Sequence, residues 1–340
     1  MRLFGARSSS KLDVLPVIFQ GSVRFVWLCV IAAAGAAVAC EAPPARPLPP
    51  TTVRLVSGFP GAGFYPLGAA LAQAYEQVLP GVDVQVQGGT GSVSNAEALQ
   101  RGAADIGFVF ADVAYVAHRG ALEQQRVPFD NLRGIAVLQT AVLHVAVRAG
   151  LDARDLGALR GRRVAIGPAG SGTALISQIV MRAYGLEPGE LVTETMPFDE
   201  APRKLAEKTL DAAFVTAAYP AESVNAALAS GGTLLNIDGP AVDRLRAEYP
   251  FLRLVSIPKD TYPSQDARVR TIGLENLLVC RSDLPDALVY DLTRGLFDAV
   301  SRPSSQPQVL RQLNLEQAPA TPIPLHPGAA RYYRERRLGV

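Results

Sequence analysis

The stretch "LRGIAVLQTAVLHVAVRAG", from Leu132 to Gly150, is apolar, rich in β-branched residues and longer than an ordinary strand. A run of this kind is typical of a strand that crosses from one part of a molecule to another. A second such run, "VRTIGLENLLVCRSD", extends from Val269 to Asp283. Two crossings mean that the chain leaves a first lobe, builds a second and returns. We therefore predict that residues 51–140 and 270–340 form lobe one and that residues 141–269 form lobe two as an insertion.

Predicted strands and helices alternate on both sides of the first crossing. Before it, the strand patterns "TVRLVSG", "VDVQVQGG" and "DIGFVF" are separated by helical patterns, and after it the order restarts with "RRVAIG" and "SGTALISQIVMRAYGL". The motif Asp-x-x-Phe-Val begins at Asp105 and again at Asp211, which indicates two similar lobes. The alternation predicts an α/β fold with two mixed sheets joined by the hinge crossings.

Composition limits the function classes. The 340 residues are 49% hydrophobic and 19% charged, which is enough apolar material for two lobes. The net charge of +2 comes from the first 40 residues, so the rest is near neutral and we expect no nucleic-acid partner. The three histidines are scattered without metal-ligand spacing, and we expect no metal and no cofactor.

The N-terminal segment has the layout of a secretory signal. "RFVWLCVIAAAGAAVAC" places a basic residue before an apolar run and small residues, so we predict a signal peptide over residues 1–39. Its end resembles a bacterial lipobox, which predicts a lipidated Cys40 followed by a Pro-rich tether over residues 40–50. Ordinary cleavage nearby is the alternative, because Ala37 stands where leucine is preferred. The leader is long enough that Val23 is an alternative start. We expect a periplasmic protein held at a membrane only by its lipid.

Three loops at predicted strand ends are rich in glycine and hydroxyl residues: "SGFPGAGFY", "GGTGSVSN" and "GPAGSGTA". Such loops entering helices offer backbone N–H groups to a carboxylate or phosphate at the edge where ligands bind. Pro66 replaces the third glycine of a dinucleotide motif, and no GK[ST] follows any of the loops. We predict a ligand site formed by Ala62, Gly63, Phe64, Tyr65, Thr90, Gly91, Ser92, Val93, Asn95, Asp112, Ser171, Gly172, Thr173 and Tyr219.

Structural roles are the alternative for several of these residues. Ser92 and Ser171 are good helix caps, Asp112 is placed to cap the helix that follows it, and Tyr65 suits a core position at a helix start.

The segments "GFYPLGAALA", "TGSVSNAEAL", "GAADIGFVFADVAYVAHRG", "GSGTA" and "LHPGAARYYRE" occur in this order between Thr51 and Glu335. Together they resemble the TAXI family of substrate-binding proteins of TRAP transporters. The resemblance implies a type II periplasmic-binding-protein fold, capture of a small organic anion or amino acid such as glutamate or 2-oxoglutarate, and TRAP permease membrane subunits as partners. The chain departs from the family at Pro60 and Ala62, where a glycine-threonine run is frequent.

We therefore predict a monomeric solute receptor without catalytic activity. A lipoprotein that senses its ligand is one alternative. Another is an enzyme on the same fold, similar to pyrimidine-precursor synthases, which would need a histidine or cysteine cluster at the cleft.

Overall fold

The computed structural model describes residues 51–58, 63–122, 125–301, 308–311 and 313–338. The predicted signal peptide, Cys40, the tether and Ala62 lie outside the described residues. The strands are β1 (Thr51–Val56), β2 (Val82–Gln87), β3 (Ile106–Phe110), β4 (Leu132–Val147), β5 (Arg163–Ala165), β6 (Val192–Glu194), β7 (Ala212–Ala217), β8 (Thr233–Leu234), β9 (Arg253–Ile257) and β10 (Val269–Arg281). The helices are α1 (Phe64–Val78), α2 (Ser92–Gln100), α3 (Ala111–His118), α4 (Gly172–Ala183), α5 (Glu200–Ala206), α6 (Glu222–Ala229), α7 (Pro240–Glu248), α8 (Asp286–Val300), α9 (Gln308–Arg311) and α10 (Pro327–Arg336), with a 3-10 turn at Leu156–Leu159.

The strands form a mixed sheet in the order β2-β1-β3-β10-β4-β7-β5-β6. Pairing is parallel on both flanks, where β1 contacts β2 and β3 and where β5 contacts β6 and β7. The two central strands are antiparallel to each other and to their outer neighbours. The predicted α/β fold is confirmed. The two predicted sheets are joined in one hydrogen-bonded path, because β4 and β10 take part in both.

The crossing strands divide the molecule into two lobes. We call the part built on β1, β2 and β3 lobe one and the part built on β5, β6 and β7 lobe two. Strand β4 pairs with β10 from Leu132 to Val142 and with β7 from Val142 to Val147. After β10 the chain returns to lobe one, where α8 packs against α1 and α10. The predicted lobe boundaries fall within β4 and at the start of β10, and they stay a prediction.

Apolar residues fill both lobes because both faces of the parallel flanks are covered by helices. One apolar cluster, which includes Val109 and Val113, belongs to lobe one. Another, which includes Ala213 and Val215, belongs to lobe two. A larger cluster runs along the sheet through both. Within the described residues, no helix has both the length and the apolar character needed to cross a membrane.

Each lobe contains the same arginine–aspartate clasp at the start of the recurring motif. In lobe one the backbone N–H of Arg54 donates to Asp105 Oδ2 at 2.9 Å and its guanidinium to Oδ1 at 2.7 Å. In lobe two the backbone N–H of Arg163 donates to Asp211 Oδ2 at 3.0 Å. Burial by itself raises the pKa of either aspartate, but hydrogen bonds from the arginines outweigh it and hold both pKa values below the usual range.

Candidate functional site

A cavity of about 560 Å³ lies between the lobes. Both lobes and both crossing strands contribute to its wall. The described residues that line it are Gly58, Gly63, Phe64, Pro66, Thr90, Gly91, Ser92, Phe110, Gln139, Ala141, Ser171, Gly172, Thr173, Phe198, Asp199, Pro202, Val215, Thr216, Ala217, Ala218, Ala221, Glu222, Ser223, Ala226, Asn276 and Val309.

The topology brings the carboxyl ends of strands and the starts of helices to this cavity. Helices α1, α2, α4 and α6 begin with Phe64, Ser92, Gly172 and Glu222, and all four residues line the wall. The first N–H groups of a helix have no acceptor within the helix, and the helix dipole makes that end positive. The wall therefore offers hydrogen-bond donors without needing basic side chains.

Eight of the predicted site residues line the cavity: Gly63, Phe64, Thr90, Gly91, Ser92, Ser171, Gly172 and Thr173. Ser171 also has the alternative role of a helix cap, because its Oγ accepts from the N–H of Ala174 in α4 at 3.1 Å. Ser92 does not cap α2, since it is the first residue of that helix and its Oγ accepts from the backbone N–H of Phe110 at 3.1 Å.

The other predicted residues that the structure describes do not line the cavity. Asn95 is buried behind it, where its amide donates to the carbonyl oxygens of Ser57 and Phe108. Tyr65 and Tyr219 are 45% and 41% exposed and lie outside the lining. Asp112 is fully buried. It is the second residue of α3 and the N-cap position is taken by Phe110, so Asp112 does not cap that helix.

The two glycine-rich loops contact each other directly across the cleft. The backbone N–H groups of Val93 and Ser94 both donate to the carbonyl oxygen of Gly170, at 3.2 and 3.3 Å. Gly91 approaches Ser171 so closely that a Cβ on Gly91 would lie 2.8 Å from Ser171 Cα. We call residues 90–94 together with residues 170–172 the interlobe latch. Within it, the N–H of Val93 that was predicted to contact a ligand binds lobe two instead.

Aromatic side chains make a second contact between the lobes. The ring of Tyr115 on α3 lies 5.1 Å from that of Phe251 and 6.1 Å from that of Tyr249, both of which follow α7. Together with the interlobe latch, these rings hold the lobes against each other in the described structure.

The crossing strands contribute a polar floor that the sequence analysis missed. Gln139 of β4 and Asn276 of β10 lie opposite each other in the sheet, and both line the cavity. Asn276 Oδ1 and Thr216 Oγ1 are buried without a hydrogen-bond partner among the described residues. The available signal was the pair of adjacent polar residues that interrupts each of the apolar runs "AVLQTAVL" and "GLENLLVC".

Two acidic side chains of lobe two were also missed. Asp199 precedes α5 and Glu222 begins α6, and both line the cavity. Acidic residues are common at helix starts for reasons of stability alone, so the pattern by itself gave no reason to single them out. Among the described residues that line the cavity there is no lysine, arginine, histidine or cysteine.

A buried histidine and tyrosine position the start of α6. His144 Nδ1 donates to the carbonyl oxygen of Val215 at 3.1 Å, and Tyr262 Oη donates to His144 Nε2 at 2.9 Å. The same hydroxyl accepts from the N–H of Ala221 at 2.9 Å, next to Glu222. Burial lowers the pKa of His144 to about 4, so the ring is neutral near pH 7. The described residues contain no cluster of acidic, histidine or cysteine side chains suited to a metal ion.

Comparison with known proteins agrees with this architecture. A family model described as the NMT1-like family matches residues 56–336. Among solved structures, the periplasmic binding protein BugD has a TM-score of 0.52 at 14% identity, over 85% of this chain and 95% of that chain. The chloride-bound XAC2383 from Xanthomonas citri has a TM-score of 0.50 at 14% identity, over 84% and 95%. A structure described as a periplasmic transporter has a TM-score of 0.50 at 15% identity, over 84% and 92%. At these identities the likeness shows the two-lobed fold.

Proposed function

Because this chain belongs to the NMT1-like family, with which residues 56–336 match, we propose that it is a periplasmic solute receptor. The observation that carries the proposal is the cavity of about 560 Å³ between two lobes that touch at the interlobe latch. Its volume lies within the range of pockets that enclose small molecules. A solute enclosed there contacts both lobes, so its binding favours the closed arrangement over an open one.

The ligand that we propose is a small carboxylate or an amino acid. Its carboxylate accepts hydrogen bonds from the N–H groups of Gly172 and Thr173, the first two residues of α4, beside the hydroxyl of Thr173. This placement uses donors that have no acceptor within their own helix and the positive end of the helix dipole.

A receptor without catalytic activity fits the lining. An enzyme similar to pyrimidine-precursor synthases would need a histidine or cysteine cluster, and the described lining contains neither residue type. His144 lies behind the wall, where it holds Tyr262 and has both ring nitrogens engaged.

We further propose that the receptor serves a TRAP-type transporter and is anchored through a lipidated Cys40. The support is the order of motifs that resembles the TAXI family, together with the signal-like segment before Cys40. A sensing lipoprotein remains the alternative, and it is distinguished by whether solute uptake in reconstituted vesicles requires the permease together with this chain.

A thermal-shift screen of the purified protein tests the receptor proposal. Carboxylates, amino acids and 2-oxo acids are compared with nucleotides, and we expect a member of the first three groups to raise the melting temperature. A ligand at one hundred times its Kd stabilises the folded state by about 2.7 kcal/mol, which such a screen detects.

The matched variants are Ala226→Trp and Ala229→Trp. Both alanines lie on α6 and are exposed, but only Ala226 lines the cavity. We expect Ala226→Trp to abolish the shift and Ala229→Trp to keep it. A shift given by nucleotides alone, or one that survives Ala226→Trp, contradicts the proposal.

A further inference from the structure

The charged side chains in the described lining of the cavity are acidic. Asp199 and Glu222 are exposed residues that line the wall of lobe two, and neither side chain forms an ion pair or a hydrogen bond with another described residue. Lysine, arginine and histidine are missing from the described lining. From this arrangement we propose that the solute carries a positively charged amine beside Asp199 and Glu222 and at most one carboxylate. The inference rests on the proposed function of the cavity as a solute site.

Two buried polar oxygens without a partner, one on the floor and one on β7, give independent support. Asn276 is 4% exposed and Thr216 is 7% exposed, and both line the cavity. Asn276 Oδ1 and Thr216 Oγ1 have no hydrogen-bond partner in the described part of the chain. An amide oxygen only accepts, and a buried acceptor without a donor costs stability. An ammonium group brings three N–H donors and no acceptor, so it supplies what this wall lacks.

A second carboxylate on the solute has no counterpart in the described lining. The start of α4 provides amides for one carboxylate, whereas another would lose its hydration beside two acidic side chains. Removing an anion from water without a partner is among the most costly steps in binding. Within the proposed ligand class, dicarboxylates and 2-oxo diacids should therefore bind with lower affinity than solutes with one carboxylate.

The apolar part of the wall indicates that the rest of the solute is apolar. The rings of Phe64 and Phe110 lie 5.2 Å apart and both line the cavity, with Phe198 contributed by lobe two. Aromatic faces accommodate apolar groups and also attract cations. The solute class is thus an amine with an apolar body, either a zwitterionic amino acid or the corresponding amine.

Isothermal titration calorimetry on the purified protein tests the inference with matched probes that differ at one group. One series is phenylalanine, phenethylamine and phenylpyruvate, and the other is leucine, 3-methylbutylamine and 4-methyl-2-oxopentanoate, with succinate and 2-oxoglutarate as dianions. We expect the amine-bearing member of a series to bind at least about tenfold more tightly than its oxo acid. Glu222→Gln and Asp199→Asn should each weaken that binding by about tenfold.

Asp243→Asn is the matched control, since Asp243 is an acid in the first turn of α7 and does not line the cavity. It should leave affinity unchanged. If oxo acids or dianions bind as tightly as the amines, or if Glu222→Gln and Asp199→Asn leave affinity unchanged, the inference is wrong while the receptor proposal stands. If neither these probes nor the wider screen gives binding that Ala226→Trp blocks, the receptor proposal fails as well.

Discussion

Asp112 shows what burial does to a single carboxyl group. Its side chain is fully buried near Tyr249, and neither oxygen has a hydrogen-bond partner among the described residues. Burial raises the pKa of Asp112 to about 7, against only weak stabilisation by backbone amides at the start of α3. The carboxyl group is therefore partly protonated at neutral pH, and its charged form destabilises the folded state.

Replacement of Asp112 by asparagine should remove this pH-dependent penalty. Between its ordinary pKa of 3.8 and the folded-state value of about 7, the folded chain keeps a proton that the unfolded chain has lost. The penalty on stability therefore grows as the pH rises through this window and is complete above it, at roughly 4 kcal/mol. We expect Asp112→Asn to exceed the wild type in unfolding free energy more at pH 8 than at pH 4, as measured by urea denaturation. A difference that does not change with pH would contradict this.

Single residues of the candidate site were predictable only where a local pattern marks them. Gly172 and Ser92 could be singled out because glycine-rich turns between a strand and a helix have a recognisable sequence. The polar positions Gln139 and Asn276 are visible within their apolar runs, but their meeting at one site could not be predicted, since it depends on the register between strands more than 100 residues apart in the chain. That register depends on long-range packing, which the local pattern does not contain.

At the scale of elements, the interlobe latch depends on a close approach between α4 and lobe one. A Cβ on Gly172 would lie 2.6 Å from Phe110 Cδ2 and 3.1 Å from Ser92 Oγ. Real Cβ atoms essentially never come this close to another heavy atom, so the lobes or the Phe110 ring would have to move. Gly172 does not have a positive φ, and alanine itself suits a helix start there.

Gly172→Ala should therefore separate the lobes without unfolding either one. We expect solute affinity to fall by about tenfold and the radius of gyration in small-angle scattering to rise, while the melting temperature without solute changes little. Gly88→Ala is the control, because its Cβ would have no atom nearer than 4.0 Å. An unchanged radius of gyration with weaker binding would instead indicate that the Phe110 ring turns into the cavity, and unchanged binding would show that closure tolerates the extra methyl group.

At the scale of the whole molecule, the two arginine–aspartate clasps tie the first and third strands of each lobe together in the same way. Arg281 adds to the clasp of Asp105 and Arg148 to that of Asp211. The clasp of Asp105 lies at the Leu132 end of the crossing strand β4 and the clasp of Asp211 lies at its Val147 end, so the length of that strand, about 50 Å at the usual rise per residue, separates them.

Because of this separation, the two clasps should stabilise the protein independently. Asp105→Asn and Asp211→Asn should each lower the unfolding free energy by about 3 kcal/mol, since each leaves partly buried arginines without their partner, and the two effects should add. Urea denaturation of the single and double variants measures this. Asp260→Asn, at an exposed ion pair with Lys259, should have almost no effect. A double variant that loses much less than the sum would contradict two independent clasps.

The two-lobed α/β fold could be predicted from the sequence because long apolar runs and regular alternation are local signals. The continuity of the sheet could not be predicted, because it arises from nine residue pairs between β10 and β4 that no local pattern specifies. The short strands β8 and β9 were missed for the same reason, since each is defined by its pairing with a crossing strand.

The position of β10 between β3 and β4 has a consequence for the order of folding during synthesis. Strands β4 to β7 emerge within residues 132–217, so lobe two can pair its strands early. Lobe one contains β1, the first strand of the described part of the chain, yet β3 and β4 stay unjoined until the ribosome has added residues 269–281. Translation that stops before residue 269 leaves the edges of β3 and β4 without the strand that joins them, and open edges of this kind favour aggregation. The lobe that is begun first is therefore the one that is finished last.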